Sequence, residues 1–584
     1  MSPFDWIIVL AFNAPIIIYG LIRSKDTRSS ADWFLAGRSL PWWMVGLSLY
    51  ATAIDSSDLV ADAGGTYVLG LSYFLTNWVG VVVGWVLAAN FIFLPMYRAG
   101  MYTNAEYLEA RFGPAARVLS VFVQVQYRTM VLGIIATTVY LVLRIVCGWG
   151  DAAWWAVGAM AAVAAIYTAL GGLKSVALTD AMQTVVMVAA SVTLFVIVWN
   201  AAGGWGGLEE KLAAHQPGLE RQLLHVGSDT VATQSTEGKP AAEIENLLLL
   251  GGDYDEKAQQ IVTRSPAWLV AIAFFIVGLS YSIVNHTQSM RMFGSRSEWD
   301  LKMSVVVSSV LMIGTSFTNL MMGVVGRGLY PEPSSMPLES ALQVRDSIYP
   351  LLVRDLTPWG LKGLVVAGVI AAIFSTFDSI GSTLSSLLVR DVYARFMVLD
   401  RDDRHYLRVG RWLTPVIIFG SFAYVPFLLT ERGMLWFFID LVGAFVVPLL
   451  TIYLMGVFTR VHRRSGVFGL GPGIAYGVLR LLAPVFAEQY GVAVLPRLMA
   501  DYYASYIFAV LLTAGPMVVI SLFAGWEPLG ELLHQEKSGW LRSSQLQASR
   551  IEPASPPSHS DAWPAFLGAA VILMGMLLSF VVFW

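Results

Sequence analysis

The sequence predicts an all-α polytopic membrane protein. Its 584 residues are 56% hydrophobic and only 13% charged, with a mean hydropathy of +0.64. Apolar stretches of about 18 residues or more recur along the chain, and each can cross the hydrocarbon core of a bilayer as a helix. Two of these stretches carry polar clusters at membrane depth, which is typical of transporters with discontinuous helices.

We expect about fourteen spanning helices, and joining or splitting one pair would change that number. In chain order they cover residues 4–22, 42–69, 73–97, 115–146, 151–171, 175–200, 266–290, 303–325, 361–388, 406–429, 433–458, 465–486, 503–525 and 563–584. The first segment lacks a basic leading region and a small-residue cleavage site, so we interpret it as a retained helix and not as a signal peptide.

Basic residues concentrate in one set of alternate loops, which include residues 98–117, 291–302 and 390–411. The opposite set contains the longer 201–265 loop, which is poorer in lysine and arginine. Because basic residues favour cytoplasmic loops, this pattern predicts that both termini lie outside a plasma membrane.

Residues 50–65 (YATAIDSSDLVADAGG) contain Asp55, Asp58 and Asp62 within one predicted span. A continuous helix would bury three carboxylates, whereas a helix broken near the midplane frees carbonyl groups for ions and substrate. Residues 276–288 are the expected matching break in a second half of the protein. The alternative interpretation of residues 50–65 is an extracellular loop between two shorter helices.

A polar stripe occupies residues 371–386 (AAIFSTFDSIGSTLSS) of another apolar span. Its members share one helical face, with an aspartate at the edge. They are Ala372, Ser375, Thr376 and Ser379, beside Asp378. Hydroxyls next to a carboxylate are hard oxygen ligands that suit a small hard cation. The alternative is a face of small residues used for helix packing, which leaves Asp378 unexplained.

Residues 526–562 are rich in Gly, Ser, Pro and Gln, and we predict a cytoplasmic linker before a last anchor helix. Cys147 is the only cysteine, so an intrachain disulfide and a thiolate metal cluster are excluded. The sequence contains no P-loop, HExxH or GxSxG motif. We therefore predict that the protein is not an enzyme and that an ion gradient drives its activity.

Several segments resemble the sodium:solute symporter family, in particular its sodium/sugar branch. They are DWFLAGRSLPWWMVGLSLYAT (32–52), GMYTNAEYLEARFG (100–113), YTALGGLKSVALTDAMQ (167–183), NHTQSMRMFGSR (285–296), AAIFSTFDS (371–379) and LLVRDVYARF (387–396). The resemblance implies a LeuT-like fold, in which two inverted five-helix repeats follow an extra helix. Further helices after the core match the spans beyond residue 465.

The resemblance implies a main sodium site built from carbonyl oxygens and hydroxyls. Its ligands would be the carbonyl groups of Ala51, Ile54 and Ala372 and the hydroxyls of Ser375 and Thr376. Sodium is thus the expected coupling ion.

Some members of the family have a second sodium site, which corresponds here to Asp180, Ser375 and Ser379. This sequence departs from the pattern because Asp378 stands where a hydroxyl is usual. An extra carboxylate could strengthen cation binding or make a proton the coupling ion. Asp180 could instead cap the helix that follows the GGLKS loop, so both interpretations stay open.

The substrate-cavity residues match the sugar branch less well. The sugar-binding glutamine and glutamate of the family correspond to Asp58 and Asn77, and its sugar-contacting glutamine corresponds to Ile439. Tyr281 matches the tyrosine that closes the site on the cytoplasmic side, although ordinary packing is an alternative role. Arg128 lies midway along a predicted span. It either pairs with an internal carboxylate such as Asp58 or Asp62, or holds a substrate carboxylate as a planar fork of donors.

We therefore predict sodium-coupled symport of a small polar organic solute, either a sugar, a sugar acid or another carboxylate. The alternatives are a transporter-like membrane sensor, a proton-coupled transporter and a channel. Expected partners are the solute and the lipid bilayer, without nucleic acid or an obligatory protein partner. The expected organisation is a leading helix and loop (1–40), a ten-helix core (41–458), two additional helices (459–525), the linker (526–562) and a last helix (563–584).

Overall fold

The structure is a computed structural model that describes residues 1–23, 30–331, 338–428, 434–528 and 562–584. Most of the linker predicted at 526–562 lies outside the described residues. The described residues of the first part of the chain are mostly helical. Its helices are α1 (Pro3–Arg23), α2 (Ser30–Leu35), α3 (Trp42–Ala51), α4 (Ser56–Leu69), α5 (Thr76–Arg98), α6 (Asn104–Phe112), α7 (Pro114–Val146) and α8 (Ala153–Ala202).

A mixed segment separates the first part of the chain from the second. It contains α9 (Gly204–His215), α10 (Leu219–Leu224), β1 (Thr230–Ser235), α11 (Ala241–Leu248), β2 (Asp253–Asp255) and β3 (Gln260–Ser265). The three strands form an antiparallel sheet in the order β1-β3-β2. This small sheet is an addition to the expected helices. The sequence does not predict it, because strands of three to six residues outside the spans carry little hydrophobic periodicity.

The second part of the chain is again helical. Its helices are α12 (Ala267–Val284), α13 (His286–Phe293), α14 (Glu298–Leu329), α15 (Leu338–Leu356), α16 (Leu361–Leu387), α17 (Asp403–Leu428), α18 (Met434–Phe458), α19 (Ser465–Tyr490), α20 (Arg497–Ala500), α21 (Ala504–Ala524) and α22 (Trp563–Val582). Helix α16 continues as a π-helix over Leu388–Met397. It packs along α8, and α3 packs against both α8 and α14.

Among the described residues, twelve helices are long and apolar enough to cross a membrane. The expected number was about fourteen, and the difference arises at two places. The segment 42–69 is divided into α3 and α4, neither of which is long enough alone. The spans expected at 151–171 and 175–200 are joined in α8, which bends at Gly172 with φ +67°. A count of fourteen therefore stays a prediction.

Both predicted helix breaks are confirmed, and a short polar side chain caps each of them. Between α3 and α4, the Asp55 carboxylate accepts the backbone N–H of Ser57 at 2.7 Å, while the Asp58 carboxylate accepts the N–H of Asp55 at 2.7 Å. Between α12 and α13, the Asn285 side chain accepts the N–H of Thr287 at 3.0 Å. These caps satisfy backbone N–H groups that have no partner within the helix.

Candidate functional site

The end of α3 lies against the middle of α16, where the main sodium site was predicted. The Ser375 hydroxyl lies 2.9 Å from the carbonyl oxygen of Ala51 and 2.9 Å from that of Ala372. The Thr376 hydroxyl lies 3.0 Å from the Ala372 carbonyl oxygen. These four residues are buried. Ile54 lies in the non-helical turn that follows Ala51.

This arrangement is chemically suited to a small hard cation. It offers only carbonyl and hydroxyl oxygens, which are the ligands that such ions prefer. Without an ion, each hydroxyl donates its proton to a carbonyl group. With an ion, the hydroxyls can rotate and present their lone pairs to it. The residues present therefore fit sodium.

One helical turn further along α16, the residues predicted for a second cation site surround an arginine. The Asp180 carboxylate accepts hydrogen bonds from the Ser48 hydroxyl at 2.5 Å and from Nη2 of Arg291 at 2.9 Å. The same Nη2 donates to the Ser379 hydroxyl. All four side chains are buried. Asp180 and Ser379 are thus brought together, with a guanidinium between them.

Asp378 lies beside this cluster and faces the first half of α8. One carboxylate oxygen accepts the Ser379 hydroxyl at 3.0 Å, and the other accepts the hydroxyl of Tyr167. The alternative that Asp180 caps a helix is wrong. Helix α8 resumes after its bend at Gly172, so Asp180 lies about two turns inside a helix.

A second group of predicted residues lines a cavity of about 50 Å³. Four of the five predicted substrate residues line it: Asp58, Asn77, Arg128 and Tyr281. Ile439 does not line it. The cavity side of α18 is formed by Met434, Leu435 and Phe438, whereas the carbonyl group of Ile439 accepts the Tyr506 hydroxyl at 2.9 Å on another side of that helix.

Arg128 is the basic residue of this cavity, and its side chain is only 2% exposed. Its Nε and Nη2 atoms have no hydrogen-bond partner among the described residues. The guanidinium carbon lies 5.6 Å from the centre of the Tyr127 ring and 6.0 Å from that of the Tyr281 ring. Aromatic faces thus hold the cation while two donor groups stay free.

Arg128 forms no salt bridge with Asp58 or Asp62 in the structure. No carboxylate of the described residues forms a salt bridge with this arginine. Asp58 instead caps α4, and Asp62 accepts the hydroxyl of Tyr73 at 3.0 Å. The cavity therefore has an acidic wall, formed by Asp55 at the start of α4 and by Asp58 and Asp62 within it, and one guanidinium.

Tyr281 connects the cavity to the break after α3. Its hydroxyl donates to the carbonyl oxygen of Thr52 at 2.7 Å. The amide of Gln288 donates both to the Tyr281 hydroxyl at 3.1 Å and to the Thr52 hydroxyl at 3.2 Å. Tyr281 thus bonds the two broken helices to each other, beyond the packing role that was its alternative.

Sequence reasoning missed three residues of the second cluster, namely Ser48, Tyr167 and Arg291. It counted Arg291 with the basic residues of a cytoplasmic loop, whereas the structure buries this side chain completely. The signal was present in the sequence. Arg291 stands between Met290 and Met292, and a basic residue flanked by large apolar ones is atypical of a solvated loop.

Comparisons with known proteins agree on one family. The family model described as the sodium:solute symporter family matches residues 33–471. Sodium/glucose cotransporter 4 of Danio rerio is 26% identical over 95% of this chain and 83% of its own length. Sodium/myo-inositol cotransporter 2 of Sus scrofa is 26% identical over 84% of this chain and 71% of its own.

Two solved structures share the fold. A Na⁺-coupled sialic acid symporter in a substrate-bound outward-open state has a TM-score of 0.70, with 17% identity over 90% of this chain and 99% of that one. A transporter of the nucleobase-cation-symport-1 family in a closed conformation has a TM-score of 0.51, with 12% identity over 88% of this chain and 99% of that one.

Proposed function

We propose that this chain transports a solute whose carboxylate is held by Arg128. The premise is that the chain belongs to the sodium:solute symporter family, and is therefore a multi-pass membrane protein that transports a solute together with sodium. The observation that carries the proposal is the buried guanidinium with two unpartnered donor atoms. A buried guanidinium with two donor atoms left unpaired is costly. A ligand carboxylate would accept hydrogen bonds from both donors in bidentate fashion.

The acidic wall determines which polar groups the other end of the solute can carry. Asp55, Asp58 and Asp62 offer acceptors, which pair with hydroxyl or ammonium groups and repel a second carboxylate. Asn77 offers both a donor and acceptors. We propose a small acid whose remaining polar groups are hydrogen-bond donors, such as a sugar acid.

We propose that sodium binds to the carbonyl groups of Ala51, Ile54 and Ala372 and to the hydroxyls of Ser375 and Thr376. Support comes from the short distances between Ser375, Ala51 and Ala372. We also propose that residues 41–458 form the transport core. From the distribution of basic residues, we propose that both termini lie outside a plasma membrane.

The test is uptake into proteoliposomes that hold the purified full chain. Labelled glucuronate and glucose form a matched pair, since they differ by a carboxylate in place of a hydroxymethyl group. An inward sodium gradient should drive uptake of acids of this class, with neutral analogues failing to compete. Arg128→Lys keeps the charge but loses the planar fork, so it should weaken solute binding by roughly 1–3 kcal/mol.

Arg144→Lys is the matched control for the Arg128 variant. Arg144 belongs to the same helix, is exposed and packs on Tyr140, away from the cavity. The control should retain the affinity of the unmodified protein. Sodium-driven uptake of glucose that Arg128→Lys leaves intact would overturn the carboxylate assignment.

A further inference from the structure

Arg291 occupies the centre of the predicted second cation site with nearly all its donors engaged. Nε donates to the Ser48 hydroxyl at 2.7 Å, and Nη1 donates to the Thr287 carbonyl oxygen at 2.9 Å. Nη2 donates to the Asp180 carboxylate at 2.9 Å and to the Ser379 hydroxyl. Carboxylate, hydroxyl and carbonyl oxygens are also the donor set of a sodium site. Here they surround a cation that is part of the chain.

This cluster lies one helical turn away from the main sodium site on both α3 and α16. Ser48 precedes Ala51 by about one turn of α3, and Ser379 follows Ser375 by about one turn of α16. The same two helices are therefore bridged at two successive levels. Oxygen atoms of Ala51 and Ser375 meet at the first level, and the guanidinium of Arg291 joins Ser48 to Ser379 at the second.

We propose that the Arg291 guanidinium is the resident cation of the second site, and that each chain consequently binds one sodium ion. This inference rests on the proposed main sodium site. A second sodium ion would have to displace a guanidinium that holds Asp180, Ser48 and Ser379 by hydrogen bonds, or lie next to a like charge in a buried place. Tyr167 and Ser379 meanwhile donate to the two oxygens of Asp378.

The experiment counts sodium ions without any organic solute. Saturation binding of ²²Na⁺ to the purified full chain, in a choline buffer, should give one ion per chain and a Hill coefficient near one. Thr376→Ala should weaken this binding about tenfold. Thr383→Ala, a buried threonine on the same helix near Met290, is the matched control and should retain it.

Two sodium ions bound per unmodified chain would overturn the assignment of Arg291. Failure of the main site has a different signature, since unmodified binding in both Ser375→Ala and Thr376→Ala would refute that site instead.

Variants of Arg291 test the cause directly. Arg291→Gln removes the charge and frees the Asp180 carboxylate, so this variant should bind a second sodium ion. Arg291→Lys keeps a cation in place and should still bind one. A folded Arg291→Gln protein that binds a single ion would show that the guanidinium is not what excludes the second. If Arg291→Gln does not fold, the number of sodium ions bound by the unmodified protein and by Arg291→Lys still tests the proposal.

Discussion

Removal of the Thr376 hydroxyl tests the main sodium site most directly. This hydroxyl is one of five proposed ligands, and it lies 3.0 Å from the carbonyl oxygen of Ala372 in the buried contact between α3 and α16. Its loss leaves an ion with four protein ligands in a place that water does not easily reach. We expect the sodium concentration for half-maximal uptake to rise about tenfold, which corresponds to about 1.4 kcal/mol of binding free energy.

Three substitutions at Thr376 separate the ligand from the packing. Thr376→Val is nearly isosteric and removes only the hydroxyl, whereas Thr376→Ala also removes a methyl group from a buried position, at about 1 kcal/mol of stability. Thr376→Ser keeps the hydroxyl and removes the methyl group. Sodium dependence should therefore be impaired in the Val and Ala variants and nearly normal in the Ser variant.

The assay is uptake of the labelled solute into proteoliposomes across a series of external sodium concentrations. Thermal unfolding of each variant in sodium-free buffer measures the packing contribution separately. Normal sodium dependence in Thr376→Val and in Ser375→Ala would refute the site. Impairment that follows the loss of stability, with Thr376→Ser as weak as Thr376→Ala, would assign the effect to packing.

Three further outcomes follow from the same geometry. Asp180→Asn leaves the Arg291 guanidinium buried without its counter-charge, so unfolding should become easier by about 3–5 kcal/mol in thermal or denaturant melts. Burial raises the pKa of Glu106, on the helix that precedes α7, from its ordinary 4.5 to about 7. The folded protein thus holds this proton more tightly than the unfolded chain. Stability should fall as the pH rises from about 4.5 to 7, and Glu106→Gln should lessen that fall. Tyr281→Phe removes the hydroxyl that bonds the two broken helices, so solute affinity should depend less steeply on sodium in equilibrium binding.

The spans and both helix breaks could be predicted from the sequence because each has a local signal. Length and hydropathy mark a span, and three aspartates inside an apolar run mark a break. The same local signal predicted that Ser375 and Thr376 share a face with Ala372, which the structure shows in their common contact. The boundary between the spans expected at 151–171 and 175–200 coincides with the bend at Gly172, although the helices on its two sides are joined.

Contacts between distant segments could not be predicted in this way. Helical periodicity tells which residues of α16 share a face, but it does not tell which helix lies opposite. The sequence therefore does not indicate the partners of Asp180, and it places Arg291 among the basic residues of a loop. The expectation that Ile439 lines the substrate cavity was not met for the same reason. Which face of α18 the residue occupies in the structure depends on how that helix is rotated against α21. Arg128 stands out in the sequence as a basic residue inside a span, but only the three-dimensional structure shows that it lines the cavity without a salt bridge to Asp58 or Asp62.

The contacts around the first break also suggest how sodium and solute affect each other. Ala51 supplies a proposed sodium ligand, and the carbonyl group of the next residue, Thr52, accepts the Tyr281 hydroxyl. The ring of Tyr281 lies beneath the guanidinium of Arg128. An ion that orders the end of α3 would thereby hold Tyr281 and Arg128 in the position that receives a carboxylate. Since linkage is reciprocal, a bound solute would strengthen sodium binding by the same factor, without direct contact between ion and solute.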